Sequence, residues 1–201
     1  PSLGPCSIVH LSSTNFEYQS IQEIVQKTLQ NGEEWICSSI FKVERDCEFD
    51  YSLGNQQLLF HGTRAENILG ILTRGLLIPY RDICWDDGIV LTRKEGLLGR
   101  GIYFSDRSST CLKYSISREK GKRYLLVFQV ALGDSHIVDQ PCFGIDSPPS
   151  GFNSLHAIPS KHGGFTEDEF CVYNPIQQKI RYIVELSQNS FVQSDANIAV
   201  P

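Results

Sequence analysis

The sequence predicts an α+β domain in which a mixed, mostly antiparallel β-sheet is flanked by a few helices. Strand patterns outnumber helix patterns, and the helix patterns fall in the first two thirds of the chain, as is typical of α+β proteins. A regular alternation of strand and helix is missing, which argues against a doubly wound nucleotide-binding fold. The chain has 201 residues, the length of one domain. We expect residues 1–187 to fold as one unit and residues 188–201 to form a flexible tail.

The first part of the chain predicts a strand, a helix and a second strand. Residues 7–11 have the pattern of a short strand. Over residues 17–30 apolar side chains recur at helical spacing, and the pair Asn31-Gly32 ends the pattern, so we expect an amphipathic helix. Its inner face is expected to hold Ile21, Ile24, Val25 and Leu29. Alternation over residues 35–44 predicts a long strand.

A short strand over residues 58–61 is predicted to lead into a second helix. Thr63-Arg64-Ala65-Glu66 has the spacing of a capping box, in which a hydroxyl and a carboxylate satisfy free backbone N–H groups at a helix start. Gly75 is the expected end of this helix. Residues 79–98 show no clean period, and we interpret them as a long surface loop of the kind that often carries function.

The remaining elements are mostly strands. Residues 101–105 predict a strand and residues 106–117 a helix. Residues 124–132 are apolar on both faces, which is typical of a central buried strand. After a loop-rich stretch over 139–168, two late strands over 169–173 and 180–186 are joined by a turn at Asn174-Pro175.

Composition and charge exclude several classes of protein. The net charge is −5 and no long block of Lys or Arg is present, so no nucleic-acid-binding surface is expected. The longest apolar stretch, Leu125 to Leu132, is far short of the ~20 residues that span a bilayer, and we expect no membrane partner. Seven scattered cysteines favour reduced thiols and an intracellular setting, cytoplasmic or nuclear. The absence of methionine indicates a processed product or a fragment.

Three local features each have a functional and a simpler structural interpretation. The glycine cluster from Gly96 to Gly101 precedes a strand instead of linking a strand to a helix, so a tight turn is favoured over a phosphate-binding loop. The spacing of Cys and His residues does not predict a metal site. Cys111 and His61 form a candidate thiol nucleophile pair, although a cysteine on the inner side of a helix is more often a packing residue.

Three short segments carry the functional signal. They are Leu59-Phe60-His61-Gly62-Thr63-Arg64, Gly99-Arg100-Gly101-Ile102-Tyr103-Phe104-Ser105-Asp106 and Asp168-Glu169-Phe170-Cys171-Val172-Tyr173. In this order and spacing they closely resemble the catalytic domain of the poly(ADP-ribose) polymerase family, the diphtheria-toxin-like ADP-ribosyltransferases. The resemblance covers nearly the whole chain and implies the ADP-ribosyltransferase fold. Residues 151–168 are most similar to the vault-associated branch of the family.

The resemblance implies that the chain binds NAD+ as a substrate. His61 would bond the adenosine ribose and the backbone of Gly62 would bond the nicotinamide amide. Tyr103 and Tyr114 would flank the nicotinamide ring, since a cationic ring between aromatic faces gains attraction. Thr63 and Asn67 would help at the adenosine side. These assignments follow from the family motifs on which the residues fall.

Glu169 is the residue that would convert binding into catalysis. In the family, a carboxylate at this position bonds the ribose 2′-OH and stabilises the cation that forms as neutral nicotinamide leaves. His61 and Tyr103 complete the catalytic set. An exposed glutamate on an edge strand is the simpler interpretation, since Glu167 and Asp168 are also acidic.

Three positions depart from the family pattern. Cys111 replaces a serine that bonds the nicotinamide amide, Thr110 replaces a lysine of chain-elongating members, and Leu77 replaces an arginine near the adenosine end. A thiol forms weaker hydrogen bonds than a hydroxyl. The departures at Thr110 and Leu77 argue against chain elongation, so we expect mono-ADP-ribosylation of protein acceptors, self-modification included. Poly-ADP-ribosylation by the same site and a non-catalytic module that binds NAD+ or ADP-ribose are the alternatives.

Overall fold

A computed structural model describes residues 6–29, 35–79, 83–84, 90–91, 96–161 and 163–188. Within these ranges the chain forms eleven strands and three α-helices. The strands are β1 Cys6–His10, β2 Trp35–Arg45, β3 Gln56–Gly62, β4 Ile83–Cys84, β5 Val90–Leu91, β6 Ile102–Ser105, β7 Lys122–Ala131, β8 Ser135–Val138, β9 Ser154–Ala157, β10 Glu169–Val172 and β11 Gln178–Gln188. The helices are α1 Phe16–Thr28, α2 Ile68–Arg74 and α3 Ser108–Leu112.

Nine strands form one sheet in the order β1-β2-β11-β7-β3-β6-β10-β9-β8. Neighbouring strands run antiparallel except β8 and β9, which are parallel. The short strands β4 and β5 pair separately. The predicted α+β class with a mostly antiparallel sheet is therefore confirmed.

Each face of the sheet carries its own hydrophobic core. On one face, termed the α1 face, helices α1 and α3 pack over β7 and β11, whose Leu125 and Val184 are fully buried. On the other, termed the α2 face, helix α2 packs over the same strands at Leu126 and Ile180. Burial on both sides explains why β7 is apolar on both faces, as the sequence predicts.

Helix α1 begins one residue earlier than predicted and buries a slightly different stripe. The Asn15 side chain accepts a 2.7 Å hydrogen bond from the Glu17 N–H and caps the helix start. Ile21 and Val25 are buried as predicted, but Tyr18 completes the inner face and Ile24 is 39% exposed. The Tyr182 hydroxyl donates to Glu17 at 2.5 Å, which ties α1 to the sheet.

The predicted capping box at Thr63 and Glu66 is wrong. A 3-10 turn, Ala65–Asn67, precedes α2, and neither this turn nor α2 has a side-chain cap. The Thr63 hydroxyl instead accepts a 3.0 Å hydrogen bond from the Asn67 side-chain amide, and Glu66 pairs with Arg64. The predicted end of α2 is correct, because Gly75 takes a left-handed φ of 79° and its N–H bonds the Ile71 carbonyl.

Helix α3 has five residues, much shorter than the predicted helix over 106–117. The backbone leaves the helix at Lys113 and turns, with the Tyr114 N–H bonded to the Cys111 carbonyl at 3.0 Å. Tyr114 therefore lies in a turn after the helix, and its expected place on the helix is wrong.

Strands β8 and β9 were not predicted. The stretch 139–168, interpreted as loop, contains β9, which pairs with β8 and β10. Gln188 extends β11, with its N–H bonded to the Gly121 carbonyl at 2.8 Å. Residues 189–201 and most of the predicted loop over 79–98 lie outside the described ranges, so the proposed tail stays a prediction.

Candidate active site

The site is built around a notch in the sheet between β3 and β6. These strands pair at a single position, Phe60 opposite Ser105, and toward Gly62 and Tyr103 they have no further paired position among the described residues. His61 and Gly62 line one side of the notch and Tyr103 the other. Because neighbouring residues of a strand point to opposite faces, a ligand in the notch can meet side chains from both faces of the sheet.

The His61 side chain bridges the notch, and its Nδ1 is the hydrogen-bond donor. Its Nδ1 lies 2.9 Å from the Tyr103 carbonyl oxygen, and a carbonyl only accepts, so Nδ1 carries the proton. Burial lowers the pKa of His61, which favours the neutral ring and leaves Nε2 as an acceptor. The ring makes edge contacts with Phe104 and Phe128, at centroid distances of 5.9 and 6.1 Å, which fix its orientation.

The partly buried, neutral imidazole of His61 predicts an acid-sensitive fold. Because its pKa is lower when folded, the unfolded chain binds the proton more tightly, and stability falls as the pH drops below the ordinary histidine pKa of 6.5. We expect His61→Gln to lose less stability than the parent between pH 7.5 and pH 5.5, measured by urea unfolding. An equal loss in both proteins would contradict the neutral imidazole in the folded state. His136→Gln is the matched control, and we expect it to behave like the parent.

Gly62 lies against helix α3 so closely that no side chain fits. A Cβ there would be 2.7 Å from the carbonyl carbon of Cys111 and closer still to its oxygen. The Cys111 thiol is buried beside the backbone N–H groups of Gly62 and Ser105, and burial raises its pKa to about 12. A protonated thiol is a poor nucleophile, and His61 is already bonded to Tyr103, so the alternative of a Cys111/His61 nucleophile pair is not supported.

Tyr103 is held at its hydroxyl end. Its hydroxyl donates to the Gly99 carbonyl at 2.6 Å and accepts from the Leu98 N–H at 2.8 Å. Gly96 covers this end of the ring, where a Cβ would come within 2.5 Å of the Tyr103 Cζ. The glycine cluster forms a tight turn as predicted, with the Gly99 N–H bonded to the Gly96 carbonyl and φ of 73° at Gly99.

Glu169 lies on the same face as Tyr103 and Cys111. It begins β10 opposite Ser105, on the α1 face, and is half-buried. Burial raises the pKa of its carboxyl group, while the positive charge of Lys113 opposes the shift. Among the residues that the structure describes, none donates a hydrogen bond to this carboxylate. The simpler interpretation of a fully exposed edge glutamate is not supported.

The structure describes fewer contacts for the other predicted binding residues. Tyr114 is 64% exposed, so its ring is accessible at the surface after α3. Thr63 and Asn67 bond to each other at the start of α2. No contact in the described part of the chain joins them to the notch, and their role stays a prediction.

Sequence reasoning missed two side chains that shape the site. Lys113 supplies the positive charge near Glu169. The Ser105 hydroxyl, 2% exposed, donates to the Asp168 carbonyl at 3.1 Å and accepts from the Arg107 N–H at 3.2 Å, which fixes the start of β10. The Ser105–Asp168 contact depends on the pairing of β6 with β10, and the proximity of Lys113 to Glu169 depends on where α3 packs; a single sequence gives neither.

No group of three or more His, Cys, Asp or Glu side chains is arranged to hold a metal ion in the portion of the chain that is described. In the same portion, no helix has the length and apolar character needed to cross a membrane.

Comparison with known proteins agrees with the motifs. The profile of the poly(ADP-ribose) polymerase catalytic domain matches residues 15–163. The chain is 38% identical to the mouse protein mono-ADP-ribosyltransferase PARP4 and 37% identical to its human counterpart, over 90% of this chain and 9% and 11% of the relatives. This supports the predicted resemblance to the vault-associated branch.

More distant relatives include proteins named mono-ADP-ribosyltransferase and proteins named poly [ADP-ribose] polymerase. The chain is 28% identical to the mouse protein mono-ADP-ribosyltransferase PARP3, over 90% of this chain and 39% of the relative. It is 30% identical to poly [ADP-ribose] polymerase 1 of Arabidopsis thaliana, over 94% of this chain and 20% of the relative. The chain thus spans about a tenth of the length of the PARP4 relatives.

Proposed function

The chain belongs to the poly(ADP-ribose) polymerase catalytic domain family, and from this premise we propose that it transfers ADP-ribose from NAD+ to protein acceptors with release of nicotinamide. The observation that carries the proposal is the placement of Glu169. A half-buried carboxylate, to which none of the described residues donates a hydrogen bond, faces the same side of the sheet as Tyr103, beside the notch that His61 bridges.

Glu169 is suited to the step that breaks the glycosidic bond. As the bond from ribose C1 to nicotinamide breaks, positive charge develops on the ribose and nicotinamide leaves as a neutral molecule. A carboxylate that accepts from the ribose 2′-OH stabilises this charge, and partial burial strengthens the interaction. The same carboxylate then polarises the acceptor nucleophile that attacks C1. No carboxylic acid is needed to protonate the leaving group.

The remaining site residues supply binding and orientation. The neutral His61 presents Nε2 as an acceptor, which suits a ribose hydroxyl. The Gly62 backbone would meet the nicotinamide amide, and the lack of a Cβ lets α3 pack directly against this backbone. Tyr103 offers a fixed ring for the nicotinamide to stack on, and the exposed Tyr114 is available for the opposite side.

Incubation of the domain with NAD+ labelled in both the adenine and nicotinamide parts tests the proposal. We expect adenine label on protein and one equivalent of free nicotinamide for each transferred group. A second candidate, a module that binds NAD+ or ADP-ribose without turnover, is favoured only by the replacement of the family serine with Cys111. It predicts stabilisation against heat by NAD+ with neither product, and that result would overturn the transferase proposal.

We propose mono-ADP-ribosylation as the outcome, with poly-ADP-ribosylation by the same site as the alternative. Thr110 stands where chain-elongating members carry a lysine, and Leu77, which is 52% exposed, stands where several members carry an arginine near the adenosine end. Both positions therefore lack a positive charge that could hold an anionic chain. Mass spectrometry of the modified protein distinguishes the two, since single ADP-ribose groups support transfer without elongation and a ladder of masses contradicts it. The same spectra test self-modification.

We further propose an intracellular site of action, in the cytoplasm or nucleus. The cysteines with described side chains are all free thiols, at Cys6, Cys37, Cys47, Cys111, Cys142 and Cys171, which suits a reducing compartment that contains NAD+. Protein acceptors are the proposed partners, and we propose no direct contact of this domain with nucleic acid or membrane. Imaging of the tagged full-length protein tests the location.

Replacing the Cys111 thiol with a hydroxyl is expected to raise the affinity of the site for the nicotinamide group. The thiol lies beside the Gly62 N–H, and a hydroxyl forms a stronger hydrogen bond to an amide. Since one net hydrogen bond is worth about 1 kcal/mol, Cys111→Ser should raise the affinity for benzamide about fivefold, measured by calorimetry. Cys37→Ser, the same exchange in the core under α1, is the control and should leave the affinity unchanged. An unchanged or lower affinity in Cys111→Ser would show that the side chain at position 111 does not bond the nicotinamide amide.

A further inference from the structure

A tyrosine outside the predicted binding set is joined to Tyr103 through one short turn. The turn comprises residues 96–100 and is termed the Leu98 turn. The Tyr173 hydroxyl donates to the Leu98 carbonyl at 2.6 Å. The Leu98 N–H donates to the Tyr103 hydroxyl at 2.8 Å, and that hydroxyl donates to the Gly99 carbonyl at 2.6 Å. Both backbone groups of Leu98 are thus bonded to tyrosine hydroxyls.

The turn is otherwise buried and well fixed. The Leu98 side chain is fully buried among Leu155, Phe165 and Cys171. The Arg100 N–H bonds the Ile145 carbonyl at 2.8 Å and the Cys142 N–H bonds the Leu97 carbonyl at 2.7 Å. Loss of the Tyr173 hydroxyl would remove the strong donor to this buried carbonyl, because the other contact that the described residues make with it, from the Cys171 thiol, is 3.9 Å long. The Leu98 carbonyl therefore depends on Tyr173.

We propose that Tyr173 is a positioning residue for nicotinamide: it fixes the Leu98 turn, and the turn fixes the ring plane of Tyr103. The inference rests on the proposed function, since it takes Tyr103 as the ring on which nicotinamide stacks. Tyr173 follows β10, two residues beyond Cys171, which pairs with Tyr103 across the sheet. Burial raises the pKa of Tyr173, so its hydroxyl remains a donor throughout the working pH range.

If Tyr173 positions only the Tyr103 ring, loss of its hydroxyl should weaken nicotinamide binding selectively. Tyr173→Phe keeps the aromatic packing and removes only the hydroxyl. We expect the affinity for benzamide to fall and KM for NAD+ to rise by a similar factor, about three- to tenfold, the scale of one hydrogen bond. Affinity for ADP-ribose, which lacks the nicotinamide group, should change less than twofold, as should kcat. A merely structural role would instead weaken benzamide and ADP-ribose binding in parallel.

Binding calorimetry with benzamide and with ADP-ribose, together with NAD+ kinetics, tests the inference. Tyr51→Phe is the matched control because Tyr51 is 66% exposed and packs on Phe49, and it should change nothing. Gly96→Ala presses on the hydroxyl end of Tyr103 from the turn itself and should give the same selective loss, which keeps the test available should Tyr173→Phe fail to fold.

The outcomes distinguish failure of the positioning role from failure of the proposed function. Unchanged benzamide affinity in folded Tyr173→Phe, or parallel loss of benzamide and ADP-ribose binding, overturns the positioning role while the parent remains an active transferase. A parent domain that neither releases nicotinamide nor binds benzamide overturns the proposed function itself, and the inference with it.

Discussion

Glu169→Gln is expected to bind NAD+ with nearly unchanged affinity and to lose transfer by about 10²- to 10³-fold in kcat, the range for removing one group that stabilises transition-state charge. Glutamine keeps the size of the side chain and one acceptor oxygen, but it lacks the charge that the ribosyl cation requires. The loss should therefore appear in kcat and not in KM. Release of labelled nicotinamide under saturating NAD+ measures it.

The same variant should fold more stably than the parent at neutral pH. Because burial raises the folded-state pKa of Glu169, the ionised carboxylate favours the unfolded chain once the pH exceeds its unfolded pKa. Replacing it with a neutral amide removes that cost, so urea unfolding should show a higher free energy of unfolding for Glu169→Gln. Glu167→Gln, which breaks an ion pair with Arg107, is the control and should keep transfer. Full activity in Glu169→Gln would refute the catalytic role.

Gly62→Ala is expected to abolish nicotinamide binding at the notch. The added methyl group would overlap the backbone of Cys111, so β3 and α3 must move apart. Such overpacking costs about 1 to 3 kcal/mol of folding stability, and displacement of bound groups by about 1 Å costs about 10²-fold in rate. We expect benzamide binding to be lost and kcat/KM for NAD+ to fall by about 10²-fold or more.

Gly54→Ala is the matched control, since a Cβ at Gly54 meets nothing within 4 Å. This variant should retain parental stability and activity, as measured by thermal unfolding and nicotinamide release. Wild-type benzamide affinity in Gly62→Ala would show that nicotinamide does not approach this backbone.

Much of the fold was predictable because strand periodicity is local. The alternation of β2 and the two-sided burial of β7 follow directly from their side chains, and Glu169 shares its face with Cys171 as period two requires. The family motifs placed His61, Tyr103 and Glu169 on separate strands, and the register brings two of these strands together at the notch.

The errors arise where long-range contacts override local preference. Thr63 has the spacing of a helix cap, but the Asn67 amide competes for its hydroxyl. Strand β9 has four residues, and only pairing with β8 and β10 defines it. Helix α3 ends at Leu112, whose carbonyl accepts a 2.6 Å hydrogen bond from Arg123 of β7, a contact 11 residues away that the helical pattern does not reveal.

The most direct test of the account is a crystal structure of the domain with an NAD+ analogue in which benzamide replaces nicotinamide. We expect the benzamide ring against Tyr103, its amide on the Gly62 backbone, the adenosine ribose within hydrogen-bond distance of His61 Nε2, and the Glu169 carboxylate on the ribose 2′-OH nearest the benzamide. A dinucleotide bound away from the notch, or one whose ribose lies beyond reach of Glu169, would contradict the account.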